Sequence, residues 1–125
     1  MLNPNASSLP IIKQVFVTAS DLNMRKGKLA AQVAHGCTLS MLDRNNFNNI
    51  KLWISQYNMT KIVLGANSID IIKLYDLLKS KNIPVYKVID AGKTEFHNVP
   101  TLTCICIGPC DASLIDPHTV TFKLI

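Results

Sequence analysis

No run of residues in this 125-residue chain is both long and apolar enough to span a membrane. The first ten residues carry Pro4 and Pro10, have no basic start and hold no sustained apolar segment, so they lack the pattern of a secretory leader. The expectation is a flexible N-terminal arm over 1–10 and a single domain over 11–125, with no membrane association and a reducing, cytoplasmic setting. Four cysteines are present, but Cys104-x-Cys106 followed by Cys110 lacks zinc-site spacing, and residues two apart on a strand share one face. Buried free thiols fit Cys37, Cys104, Cys106 and Cys110 better. His35, His97 and His118 also lack ligand spacing, so no metal and no cofactor is assigned. No serine sits in a Gly-x-Ser-x-Gly setting, and Gly27-Lys28 is not followed by Ser or Thr. A nucleophile elbow and a phosphate-binding P-loop are therefore excluded. No internal repeat or low-complexity stretch occurs. Acidic residues are few, eight against thirteen Lys plus Arg, and the formal charge of +5 favours an anionic partner without distinguishing nucleic acid from nucleotide or acidic protein.

What is there is an apolar content of 48%, enough for a core, distributed with alternating periods. Residues 11–19 are apolar and β-branched, as in a strand covered on both faces. A basic, Gly-containing loop follows, and from near Gly27 to about Asp43 the spacing predicts a helix whose Leu29, Ala30, Val33, Ala34, Cys37 and Met41 pack on the sheet. An Asn-rich turn at 44–49, a short helix over 50–57 and a strand at 60–64 come next. Ser68 is the expected N-cap of a helix over 69–81, and a third strand over 85–89 delivers Asp90. A loop from 91 to 100 leads to a strand at 102–107 stopped by Gly108-Pro109, then a helical turn at 111–115 and an edge strand within 120–124. The alternation argues an α/β sandwich with a mostly parallel sheet, and the helix-free loop after Asp90 permits an antiparallel return.

Lys28, Gln32 and His35 stand at i, i+4 and i+7, so they lie along one face of the first helix. The plain reading is a solvent-facing stripe. The functional one is that Lys28, in the first turn, points into the cleft at the carboxyl ends of the strands, where open α/β sheets bind ligands. Asp90 would emerge at the same edge. A carboxylate and an ammonium in one cleft can divide hydrolytic labour, the first orienting or deprotonating water and the second stabilising an oxyanion. Against this, Asp90-Ala91-Gly92 is also an ordinary turn after a strand. Thr94 and Thr103 can lend hydroxyls to the same cleft.

Taken in order, Asp21-Leu22-x-Met24-x-Lys26-Gly27-Lys28-x-Ala30-Ala31-Gln32-Val33-Ala34-His35, then Asp90-Ala91-Gly92-x-Thr94, then Ile107-Gly108-Pro109 resemble the class II peptidyl-tRNA hydrolases of archaeal and eukaryotic type. The likeness runs from about Ile12 to the closing segment with Leu114-Ile115-Asp116 and Lys123-Leu124. It implies a three-layer α/β/α sandwich with a four-stranded mixed sheet, the last main strand antiparallel, of a kind often assembled as a homodimer. It also implies metal-independent hydrolysis of the ester between a peptide and the 3′ end of tRNA, so that peptidyl-tRNA is the partner and free tRNA the product. By position the resemblance makes Lys28, Asp90, Thr94 and Thr103 catalytic, with Gln32 and His35 along the same stripe. Arg25, Lys26, Lys61, Lys87 and Lys93 would hold the tRNA backbone without reading sequence. Three positions depart from the pattern: Arg25 replaces a Gly, Lys93 an Arg and Glu95 a Gln. Lys93 thereby exchanges a planar fork for a point charge, and Glu95 sets a negative charge beside a presumed RNA surface. Two other readings stay open: a non-catalytic tRNA- or protein-binding module on the same fold, and a small-nucleotide enzyme, which the missing Gly-rich phosphate cradle disfavours.

Overall fold

The computed structural model describes residues 11–93 and 96–125, so the arm expected at 1–10 and the positions of Thr94 and Glu95 lie outside the described residues. Along the chain run β1 (Ile12–Ala19), α1 (Lys26–Met41), α2 (Phe47–Gln56), β2 (Lys61–Ala66), α3 (Ser68–Ser80), β3 (Val85–Asp90), β4 (Thr101–Asp111), α4 (Ala112–Thr119) and β5 (Lys123–Leu124). The strands form one mixed sheet in the order β3-β4-β1-β2-β5. β1 and β2 are parallel, and β4 runs antiparallel between β1 and β3, so β3 points the same way as β1. The carboxyl ends of β1, β2 and β3 therefore share one edge of the sheet, as the alternation of elements predicts. Among the described residues no helix is long and apolar enough to cross a membrane.

Each face of the sheet has its own core. Val15, Val17 and Ala19 of β1 join Ile105 and Ile107 of β4, Ile71, Leu74 and Leu78 of α3 and Ile115 of α4 on one side. Phe16, Val88, Cys104 and Cys106 pack with Val33 and Cys37 of α1 on the other. Cys104 and Cys106 do share a face, and they and Cys110 are buried free thiols with Cys37 half-buried. Burial pushes the Cys104 and Cys110 thiols up to about 12, so they stay protonated at neutral pH.

Several expectations need correction. The sheet has five strands, not the four that the resemblance implies: the terminal edge strand expected over 120–124 forms at Lys123–Leu124 alone, on the outer edge of β2, pairing Leu64 with Leu124 and Gly65 with Lys123. β4 does not stop at Gly108-Pro109 but continues to Asp111. The register slips there, Gly108 and Pro109 of β4 facing Gln14 of β1 alone, and such a bulge accommodates a left-handed glycine and a proline, which has no N–H to offer the ladder. Asn67, not Ser68, caps α3 by accepting the Asp70 N–H at 2.9 Å. Ser68 instead donates its N–H and its hydroxyl to Asp21, at 2.9 Å each, tying the loop after β1 to the start of α3.

The inward face of α1 also differs. Its buried residues are Gln32, Gly36 and Ser40, with Lys28 above them in the same i, i+4 row, whereas Ala30, Ala34 and Met41 are exposed. Two features turn the helix this way. A Cβ on Gly36 would lie 3.2 Å from the Cys106 Cβ and 3.3 Å from the Phe16 ring, so glycine permits the close approach. Polar partners wait below: Gln14 of β1 donates to the Ser40 hydroxyl at 2.8 Å, and Thr103 of β4 donates to Gln32 at 2.7 Å.

Candidate active site

The loop leaving β1 makes a single 3-10 turn at Ser20–Leu22, passes through Asn23 in the left-handed region and enters α1 with Arg25 as an extended N-cap. Arg25, Lys26 and Lys28 thus crowd the amino end of α1, which has no acidic residue in its first turn. Cations at this end oppose the helix dipole, typically by about 0.3–1 kcal/mol each, so the arrangement is unfavourable for α1 alone. It makes sense beside an anion. Arg25 and Lys26 are exposed, whereas the Lys28 side chain retains only 14% of its accessible surface.

Lys28 reaches across the carboxyl edge of the sheet to Asp90, the last residue of β3, and its Nζ donates to Oδ1 at 2.7 Å. The Asp90 side chain is 16% exposed. Its two oxygens have separate tasks. Oδ2 accepts the Gly92 N–H at 2.8 Å, an Asx-type turn, while Oδ1 takes Lys28 and, at a long 3.5 Å, the Gln32 amide. Asp90-Ala91-Gly92 is therefore an ordinary turn that also sets its carboxylate against Lys28. Gly92 has φ +81°, and a side chain there would run into the Val99 backbone. The hydrogen-bonded Lys28 ammonium holds the Asp90 carboxyl below the usual carboxylate range; partial burial opposes this, and the Gly92 N–H and Gln32 assist it. Asp90 is accordingly a carboxylate at neutral pH, better suited to accepting a hydrogen bond from water than to capturing a proton outright.

Behind this pair lies a second layer. Gln32, 2% exposed, receives the Thr103 hydroxyl on Oε1 and directs its amide toward Asp90. Thr103 reaches Gln32 because β4 carries one extra residue opposite Val88 and Ile89. That bulge turns Thr103 and Cys104 toward the same face, a common way of re-aiming a side chain beside a site. Thr103 is fully buried, its hydroxyl also 3.3 Å from the Val88 carbonyl, so it lies beneath Gln32 rather than on the cleft surface.

Of the residues singled out from sequence, Lys28, Gln32, Asp90 and Thr103 are thus joined in one network. His35 is exposed one turn beyond Gln32, Lys93 is exposed in the loop after Asp90, and Thr94 lies outside the described residues. Lys61 and Lys87 are not at this edge. Lys61 begins β2, at the opposite end of the strands, with its Nζ 4.7 Å from the Trp53 ring centre. Strand alternation puts Lys87 on the α3 side of the sheet, 5.2 Å from the Tyr75 ring centre. Phe96 had no signal in the sequence, yet its ring centre is 5.6 Å from the Lys28 Nζ.

Fold and site together define a class: a small α/β protein whose ion-paired lysine and aspartate sit at the carboxyl edge of a mixed sheet, beside a basic helix start. Within that class the chain belongs to the peptidyl-tRNA hydrolase PTH2 family, whose model matches residues 12–125. A peptidyl-tRNA hydrolase of Saccharolobus islandicus (strain L.S.2.15 / Lassen #1) is 41% identical to it over 125 residues, covering 92% of this chain and 100% of the relative. Those of Saccharolobus solfataricus and Sulfurisphaera tokodaii are 38% and 40% identical, over 92% and 90% of this chain and 100% and 98% of their own lengths.

Proposed function

We propose that this protein hydrolyses the ester joining a peptide, or an N-blocked amino acid, to the 3′ end of tRNA, freeing tRNA from stalled translation. The observation that carries the reading is the 2.7 Å contact between Lys28 and Asp90 at the carboxyl edge of the sheet, in a chain of this family. Water attack makes the ester carbonyl tetrahedral and its oxygen an anion. Lys28, an ammonium held at Asp90, stabilises that oxyanion; such a donor contributes about 3 kcal/mol. Asp90 orients the attacking water, with Thr94 as a supporting hydroxyl. Gln32 and Thr103 are positioning residues, fixing the carboxylate from behind. Arg25, Lys26 and Lys93 hold tRNA phosphate, and His35 lines the substrate side of α1.

No step in this scheme needs a metal, because Lys28 supplies the positive charge that a Lewis acid would. We read the molecule as a three-layer α/β/α sandwich forming a single domain over 11–125, a homodimer, at work in the cytoplasm. The deciding experiment is release of N-acetyl-phenylalanine from its tRNA ester, with and without chelator. Turnover unchanged by chelator is the expected result. Loss of turnover with chelator would refute the metal-free scheme, and tRNA binding without release would leave a binding module.

A further inference from the structure

β3 is an outer strand: in the sheet order it neighbours β4 alone, so among the described residues its other edge forms no ladder. Such edges are normally blunted or covered, since their free N–H and C=O groups template another strand. Beside this edge a groove of about 260 Å³ runs between β3 and the second half of α1, lined by Val88, Ile89, His35, Thr38 and Leu39. Leu39 is 39% exposed, whereas the Ile89 side chain lies on the same face as Lys87, so at this edge Ile89 offers its backbone. The groove lies next to the Lys28 and Asp90 pair along both elements: Asp90 directly follows Ile89 on the strand, and His35 lies one turn beyond Gln32 on the helix.

Charge is divided along α1. Its amino end carries Arg25, Lys26 and Lys28, whereas among the described residues no lysine or arginine lines the groove. An anionic tRNA and an uncharged chain joined at an ester would therefore separate at Asp90, the nucleic acid toward the amino end of α1 and the chain toward the groove. We propose that the peptide portion of the substrate binds in this groove as an added strand on the outer edge of β3. The proposal rests on the hydrolase reading above. Polarity follows from the geometry: the peptide's C-terminal carbonyl must be at Lys28 and Asp90, and the rest of it runs back toward Val85, so it lies parallel to β3. Main-chain hydrogen bonds to a strand edge recognise any sequence, which suits a substrate whose peptide is arbitrary, while the groove accepts alternate side chains.

The test compares two substrates on the same tRNA: N-acetyl-phenylalanyl-tRNA and N-acetyl-tetraalanyl-phenylalanyl-tRNA. The expected result is a KM at least tenfold lower for the longer one. Filling the groove with Thr38→Trp should shrink that ratio to about twofold or less. Thr38 spends its hydroxyl on Ala34 O in its own helix, so no tertiary hydrogen bond is lost with it. The unmodified protein gives an independent reading through N-methylated alanines. Methylation at one alternate set of positions should abolish the advantage of length, and at the other set leave it intact. Equal KM values for the two substrates, or equal effects of both methylation sets, would overturn the added strand while leaving the hydrolase reading standing. Failure to hydrolyse either substrate would overturn the hydrolase reading and the strand with it.

Discussion

Replacing Lys28 by Met keeps most of the length of the side chain and removes its charge. The ammonium lies 2.7 Å from Asp90 Oδ1, with the two side chains only 14% and 16% exposed, so solvent screens the pair weakly. After the change Asp90 keeps the Gly92 N–H at 2.8 Å and the long contact to Gln32, so the carboxylate is not orphaned. The folding cost should then be that of one hydrogen bond to a charged group, about 1.5–3 kcal/mol. The loss of oxyanion stabilisation, about 3 kcal/mol, corresponds to a kcat at least a hundredfold lower. The same variant should change how stability depends on pH. Lys28 is the main cause of the depressed Asp90 pKa, so in the native protein this carboxylate contributes stability above its unfolded pKa of about 3.9 and loses that contribution only as pH falls through the lower folded value. Without Lys28, burial pushes the folded pKa back upward against the remaining Gly92 and Gln32 contacts, and the contribution shrinks. Single-turnover release of N-acetyl-phenylalanine gives kcat, and carbon NMR of the Asp90 carboxyl with denaturation between pH 2.5 and 7 gives the linkage. A kcat within tenfold of the unmodified protein, or an Asp90 titration at the same pH in both proteins, would refute the reasoning.

Thr103→Val removes the hydroxyl that holds Gln32 while keeping the shape of the side chain; it should lower kcat about tenfold with KM unmoved and cost about 1–3 kcal/mol for the buried acceptor left on Gln32. Thr103→Ser should restore kcat, and a change confined to KM would contradict a positioning role. If Arg25, Lys26 and Lys93 each hold one phosphate, raising salt from 50 to 200 mM should weaken tRNA binding about 20- to 40-fold, equally for different tRNAs, as fluorescence anisotropy would show. Gly36→Leu forces a side chain against Cys106 and Phe16, where even a Cβ lies at 3.2–3.3 Å; thermal denaturation should show a loss of about 1–3 kcal/mol, and none would mean that α1 is not held this close.

The junction of strand, basic loop and helix could be read from the chain because each of its signals is local. A mostly apolar, β-branched run ends at Ala19, helix periodicity begins beyond Gly27, and a third strand ends on Asp90. A parallel arrangement then brings Lys28 and Asp90 to one edge without further information. What could not be read depends on partners distant in sequence. Apolar spacing alone gave α1 a face containing Ala30, Ala34 and Met41, but Gln14, Thr103 and the space above Cys106 turned the row with Gln32, Gly36 and Ser40 inward. The bulge that aims Thr103 is a mismatch between two strands, and neither strand contains it by itself. Gly108-Pro109 looked like a stop because a proline has no N–H for a ladder, yet a register slip makes that N–H unnecessary. Lys61 and Lys87 count equally with Arg25 in the net charge, but strand direction and alternation send them elsewhere.

The polar row on α1 also explains how a lysine in the first turn of a helix can be held accurately. Hydrolytic groups need placing to within about half an ångström, and a long, flexible side chain on a loop would not meet that demand. Here the backbone carrying Lys28 is fixed from below at three successive levels of the same row. Gln32 is bonded to Thr103, Gly36 rests on Phe16 and Cys106, and Ser40 is bonded to Gln14. Asp90 is fixed separately, by Gly92 in its own turn and by Gln32 from α1. Gln32 therefore touches both halves of the pair's support, its backbone on the helix of Lys28 and its amide on the carboxylate of Asp90. A non-polar residue at 32 would pack on the sheet at least as well and would stabilise α1 by burial. The amide serves both, accepting the buried Thr103 hydroxyl and reaching the Asp90 carboxylate, so position 32 is where the demands of folding and of the proposed chemistry meet.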